Sequence, residues 1–136
     1  MYKIFLVDND EQAIDEVKKT LWNIGAELIS LNQNYQDTLK KIFSEPPDLL
    51  LLDIAFNDGD GINILKTVDS LKIPIIILTE INDTTAKWNC FKLGAAEYII
   101  KPFDRTDLFY RIKNQLRHRQ FSKSLIQYNH KLESVI

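Results

Sequence analysis

A single cysteine, Cys90, in 136 residues excludes a disulfide framework and a thiolate metal cluster, and that residue reads as a small buried hydrophobe. No apolar run approaches the ~20 residues that cross a bilayer. The start, MYKIFLVD, lacks the charged-then-apolar layout of a secretory signal, so a cytoplasmic protein with no membrane partner is expected. Neither sign of charge dominates. Seventeen basic against nineteen acidic residues give a net charge of −2, which leaves no overall footprint for nucleic acid or an anionic membrane. Internal repeats and low-complexity tracts are also absent. What remains is a chain with 45% apolar and 26% charged residues, the composition of one globular domain of ordinary size.

Short apolar runs alternate with longer amphipathic ones. Lys3–Val7, Ala26–Leu31, Leu49–Leu52, Ile75–Leu78 and Tyr98–Ile100 are β-branched or leucine-rich, bounded by turn residues, and read as strands. The third and fourth, LLLL and IIIL, are apolar without alternation, as in strands of a parallel sheet covered on both faces. Between the strands lie helical stripes: Ile14, Val17, Leu21 and Ile24, closed by Gly25; Tyr35, Leu39 and Ile42, stopped by Pro46 and Pro47; and Ile64, Leu65, Val68 and Leu71. Trp88, Phe91 and Ala95 mark a fourth helix closed by Gly94, and Leu108, Ile112 and Leu116 begin a fifth. Five alternations with short links predict an α/β fold, a (βα)5 doubly wound parallel sheet with helices on both faces.

The composition changes after about Arg117. Phe121, Leu125, Tyr128, Leu132 and Val135 recur at heptad-like spacing over about two heptads, short of a confident coiled coil. Residues 1–117 are therefore expected to form the globular domain. Residues 118–136 would be an amphipathic helical extension that pairs with a second copy or links to a missing output domain. His118 and His130 read as solvated residues on that basic helix surface.

In an open parallel sheet, ligands bind at the carboxyl ends of the strands near the point where strand order reverses. The predicted strands end in Asp8-Asn9-Asp10, Asp53, Thr79-Glu80 and Lys101-Pro102. Asp8 and Asp53 together in a cleft would repel each other, and a divalent cation with oxygen ligands, Mg²⁺, relieves that repulsion. A carboxylate–metal pair beside an ammonium (Lys101) and a hydroxyl (Thr79) suits a phosphoryl group, and a carboxylate can itself be the nucleophile. Singly, each residue has a plainer reading. Asp10 or Asn9 caps the first helix; Asp58-Gly59-Asp60-Gly61 is a turn whose glycines supply positive φ; Lys101 is a solvated loop lysine.

These motifs resemble the response regulator receiver domain of two-component signalling, chemotaxis-regulator-like, with its flavodoxin-like fold. The resemblance covers about Met1 to Arg117. It is carried by Asp8-Asn9, LLLLD ending at Asp53, Asp60-Gly61, IIILT ending at Thr79, Leu93-Gly94-Ala95, Tyr98 and Lys101-Pro102-Phe103. It implies that Asp53 accepts a phosphoryl group from a histidine of a partner kinase or phosphotransfer protein. It implies that Asp8, Asp53 and the backbone carbonyl of Ala55 hold Mg²⁺, with Asn9 or Asp10 as a further ligand. Lys101 would contact the phosphoryl oxygens. Thr79 would turn inward to the phosphoryl group and Tyr98 would follow, reshaping a fourth helix–fifth strand–fifth helix face that includes Trp88, Tyr98 and Arg111. That face, or the C-terminal helix, would form a homodimer.

The chain departs from the family pattern at several positions. Asn9 stands where a second acid is usual, Asn57 where a proline is usual, and Glu80 where a small residue follows the switch threonine. Ala55 and Ile81 occupy positions that help relatives orient the hydrolytic water, and neither side chain can hydrogen-bond water, so slow self-dephosphorylation is expected. Two rival functions follow. Asn9 and Glu80 motivate a degenerate receiver acting as a phosphorylation-independent interaction module. Asp8-x-Asp10, IIILT and Lys101 also fit the order of a haloacid-dehalogenase-type phosphatase, which would leave Asp53 and the Asp60-Gly61 loop unexplained.

Overall fold

The two runs without alternation, LLLL and IIIL, become neighbouring inner strands of a five-stranded sheet, each apolar side chain buried on one face or the other. The computed structural model describes residues 1–22 and 24–119. Strands β1 (Tyr2–Val7), β2 (Ala26–Leu31), β3 (Leu49–Leu52), β4 (Ile75–Thr79) and β5 (Glu97–Ile100) alternate with helices α1 (Glu11–Leu21), α2 (Tyr35–Ser44), α3 (Asp60–Val68), α4 (Thr84–Lys92) and α5, described over residues 105–119. All strand pairs are parallel, in the order β2-β1-β3-β4-β5. This strand order is that of a flavodoxin-like doubly wound sheet.

Side chains alternate across the sheet with the period of two that a strand imposes. Leu50, Leu52, Ile75 and Ile77 join Ile42 of α2, Ile64, Leu65 and Val68 of α3 and Cys90 of α4 in one core layer. Leu49, Leu51, Ile76 and Leu78 join Val17 and Leu21 of α1 and Leu108, Ile112 and Leu116 of α5 in the other. With both faces consumed by apolar packing, polar chemistry is left to the edge where the strands end. Asp10, Asn34 and Asp83 cap α1, α2 and α4 by accepting the N–H of Gln12, Asp37 and Thr85.

The helical stripe expected for α4 is wrong in detail. Trp88 is 62% exposed and Phe91 44% exposed, whereas Cys90 is fully buried, with Ala86 and Leu93 packed against the core. The inward side of this short helix is carried by small and aliphatic residues, so the aromatic spacing marked the solvent side. Ala95 is buried but follows the helix. Burial pushes the Cys90 thiol above its ordinary pKa, in keeping with a packing role. Leu71 lies in a separate turn, Asp69–Leu71, after α3. The seam from Phe121 to Val135 and His130 lie outside the described residues. Among the described residues no helix is long and apolar enough to cross a membrane.

Gly61 also differs from expectation, because it serves close approach rather than positive φ. A Cβ there would fall against the Asp53 carbonyl oxygen and within 2.5 Å of Ile54 Cα, both backbone. Only a bare backbone lets the first turn of α3 sit against the segment after β3. Helix propensity favours alanine by ~1 kcal/mol, but overpacking against backbone outweighs it. Gly61→Ala is expected to lower the unfolding free energy by ~2 kcal/mol, read as a lower urea midpoint with an unchanged slope; an unchanged midpoint would contradict the close-packing role.

Candidate functional site

Strand order reverses between β1 and β3: from β1 the chain passes to β2 on one side, then to β3 on the other. Val7 and Leu52 are register partners at the carboxyl ends of β1 and β3, and the Asp53 N–H donates to the Val7 carbonyl at 3.0 Å. Asp8 and Asp53 therefore emerge side by side in the crevice that this reversal opens. Lys101, just after β5, is anchored by its N–H to the Thr79 carbonyl at 2.8 Å.

The Lys101 ammonium reaches back across this edge. Its Nζ donates to Asp8 Oδ2 at 2.7 Å and to Asp53 Oδ2 at 3.3 Å, and lies 3.6 Å from Asp10 Oδ2. Asp8 is completely buried and Lys101 only 9% exposed. Burial pushes the Asp8 carboxyl above its ordinary pKa, against the opposing pull of its hydrogen bonds from Lys101 and the Asp10 N–H. Burial draws Lys101 down, but the hydrogen bond and charge of Asp8, with Asp53, prevail and hold it above its ordinary value. The two carboxylates thus favour the ammonium form of Lys101. Each carboxylate is also aimed by backbone: Asp8 Oδ1 accepts the Asp10 N–H and Asp53 Oδ1 accepts the Ala55 N–H, both at 2.9 Å.

An open cavity of about 250 Å³ sits over this cluster, lined by Asp8, Asn9, Asp10, Asp53, Ala55, Phe56, Glu80 and Lys101. The structure thus brings together Asp8, Asp10, Asp53, Ala55 and Lys101. The open alternative at the start of α1 is resolved: Asp10 is the cap through Oδ1 and still turns Oδ2 toward Lys101. Asn9 lines the cavity, but its Nδ2 donates to Asn57 Oδ1 at 2.9 Å. Three carboxylates face one ammonium here, so the site carries surplus negative charge. Among the described residues no three His, Cys, Asp or Glu side chains form a group that could by itself hold a metal ion. Mg²⁺ does not require one, because it keeps several waters and takes one or two carboxylates. The all-oxygen donor set and the surplus charge fit that ion.

Thr79 ends β4 fully buried, and its Oγ1 accepts the Ile81 N–H at 3.4 Å. Tyr98 is already inward, 8% exposed, with its hydroxyl donating to the Ile81 carbonyl at 2.6 Å. Phe91 packs at 6.5 Å and Lys87 stands 5.7 Å over its ring. On the outer face Trp88 is exposed, while Arg111 is half-buried and paired within the chain, to Glu97 at 2.6 Å and Asp107 at 2.9 Å. The four-residue spacing of Asp107 and Arg111 signals one of these pairs in the sequence. Nothing there signals Glu97 as the other partner, or the Asn9–Asn57 contact.

Known proteins resemble this chain in sequence and in fold. The response regulator receiver domain family model matches residues 4–113. The chain is 39% identical over 126 residues to the transcriptional regulatory protein DltR of Streptococcus agalactiae, covering 91% of this chain and 54% of that protein. It is 31% identical over 134 residues to the DNA-binding transcriptional regulator NtrC of Proteus hauseri, covering 97% of this chain and 28% of the relative. The crystal structure of a two-component response regulator from Clostridium difficile superposes with a TM-score of 0.78 at 30% identity, covering 86% of this chain and 97% of that one. The chain spans between 28% and 54% of the length of the curated relatives it matches. The match to this family over residues 4–113 displaces the phosphatase reading. The chain belongs to the response regulator receiver domain family of two-component signalling.

Proposed function

We propose that this domain is a phosphorylation-dependent switch in which Asp53 accepts a phosphoryl group from a phosphohistidine of a partner kinase or phosphotransfer protein. One observation carries the reading: a charged lysine buried between two strand-end carboxylates at the reversal of the sheet. An Asp53 carboxylate oxygen attacks phosphorus, the bond to the donor nitrogen breaks, and its electron pair stays with the imidazole. Asp8, Asp53 and the Ala55 carbonyl would hold Mg²⁺, with Asp10 better placed than Asn9 to complete the set. When bound, the ion neutralises phosphoryl oxygens. Lys101 moves its hydrogen bonds from the carboxylates to the transferred group, and the Thr79 hydroxyl leaves Ile81 to donate to the same group.

That shift of Thr79 would reach the surface through Ile81, whose N–H bonds Thr79 and whose carbonyl holds Tyr98. The α4–β5–α5 face, with exposed Trp88 and Phe91, is where dimerisation would respond. Arg111, bound to Glu97 and Asp107, shapes that face from within and does not offer a free charge. Relatives named as transcriptional regulators suggest a DNA-binding output as the process controlled.

Intact mass after incubation with Mg²⁺ and acetyl phosphate tests the reading. One added phosphoryl group in wild type, absent in Asp53→Ala, is expected; no gain at any Mg²⁺ concentration would leave the phosphorylation-independent module. The phosphoryl group is expected to be long-lived, because Ala55 and Ile81 cannot position water. Ala55→Asn should shorten its lifetime on the order of tenfold, followed as loss of the phosphorylated mass; an unchanged lifetime would contradict that role for residue 55.

Tyr98 gives a check on the inward state. Burial, then the nearby Cys90, Asp83 and Asp53 groups, push its phenol up to about 12. The raised value favours the neutral phenol in the fold. Its contribution to stability is therefore complete below about pH 10, the ordinary tyrosine value, and is lost as pH rises toward 12. Ultraviolet titration should show a phenol ionising at about 12 that Tyr98→Phe removes. Persistence of that component in the variant would mean that Tyr98 does not occupy this position.

A further inference from the structure

The loop after β3 carries a hydrogen-bond chain that the chemistry above does not use. Asn9 Nδ2 donates to Asn57 Oδ1 at 2.9 Å, and Asn57 Nδ2 donates to the Gln33 carbonyl at 3.3 Å. The Gln33 carbonyl also accepts the hydroxyl of buried Thr38 at 3.3 Å. Asn9, Gln33 and Asn57 follow β1, β2 and β3, so this row of amides ties together the loops of adjacent strands at the edge that bears the site.

The row has one consistent orientation. A main-chain carbonyl only accepts, so Asn57 must turn its nitrogen to Gln33 and its oxygen to residue 9. An oxygen there requires a donor, and the Asn9 amide supplies it. A carboxylate at residue 9 would set acceptor against acceptor. If Asn57 turned over to donate to that carboxylate, its oxygen would face the Gln33 carbonyl. Either way a link is lost.

The backbone adds a second constraint. Asn57 sits at φ 47°, ψ 50° and Asp58 at φ 57°, ψ 36°, in the left-handed region. Asparagine tolerates that region well, and proline, held near φ −65°, cannot enter it. In this conformation the Asp58 N–H donates to the Ala55 carbonyl at 3.2 Å. The set of residues 57 and 58 therefore fixes the direction of the Ala55 carbonyl.

We propose that Asn9 and Asn57 are a matched amide pair that positions the acceptor loop, and that this pairing requires an amide at residue 9. Asn57 is a positioning residue: it acts on the phosphoryl site through the backbone of residues 55–58. The two departures from the family pattern, the missing second acid and the missing proline, thereby become one feature. The catalytic part of the proposal rests on the phosphorylation of Asp53 proposed above.

The test uses Asn57→Gly, which keeps the left-handed backbone and removes the amide, together with Asn9→Asp and the double variant. Amide hydrogen exchange at Asp58, measured by NMR without Mg²⁺ or phosphodonor, should rise about 3- to 10-fold in each single variant. The double variant should show no further rise. Additive effects, or unchanged exchange in Asn9→Asp, would overturn the pairing. For Asn57→Gly, the Mg²⁺ concentration giving half-maximal phosphorylation by acetyl phosphate should increase about tenfold, with the rate at saturating Mg²⁺ within about twofold of wild type. A fall at saturating Mg²⁺ with no shift in the midpoint would overturn the positioning role and leave a merely structural one. If exchange is coupled as expected but Asp53 is not phosphorylated in wild type, the phosphorylation reading fails and the positioning role falls with it. Additive exchange in a protein that is phosphorylated overturns the amide pairing alone.

Discussion

The Lys101 ammonium buried between Asp8 and Asp53 is the interaction on which the site depends. An unpaired charge in so dry a place would be strongly disfavoured, and removal of one partner leaves the other uncompensated. The doubly covered sheet makes this concentration of charge unavoidable. Both of its faces are filled by apolar side chains, so the polar groups gather where the strands end. The reversal of strand order then sets two of them side by side. The resulting surplus of carboxylate over ammonium favours a cation at this edge.

The same edge connects to the surface through a short route. Thr79 ends the strand beside β5, and Ile81 is held from one side by the Thr79 hydroxyl and from the other by Tyr98. A group that draws the Thr79 hydroxyl away frees one of these bonds while the other still grips the same residue. The segment leading into α4 is therefore the element that a change at Asp53 would reposition. Trp88 and Phe91, exposed on α4, lie on the element that would carry such a change outward.

The sequence announces some of this architecture more clearly than the rest. LLLL and IIIL reveal a doubly covered parallel sheet because apolar side chains on both faces abolish alternation. The strand-end residues Asp8, Asp53 and Lys101 are legible because the fold brings every strand end to one edge. The inward side of α4 is not legible: a short helix needs few buried side chains, and Cys90 packs where Trp88 and Phe91 promise to. The role of Gly61 is hidden as well, since a close approach of backbone to backbone leaves no periodic trace. Nor do Asn9 and Asn57 signal their contact. They are 48 residues apart, and each looks like the simple loss of a family residue until the loops are brought together.

The most direct test of the central claim is the position of the covalent bond. Borohydride reduction of the phosphorylated chain converts an aspartyl phosphate to homoserine, and peptide mass spectrometry then locates it. The account predicts homoserine at residue 53 and at no other carboxylate. Homoserine at residue 8 or 10, or a phosphoryl group that resists borohydride, would contradict it.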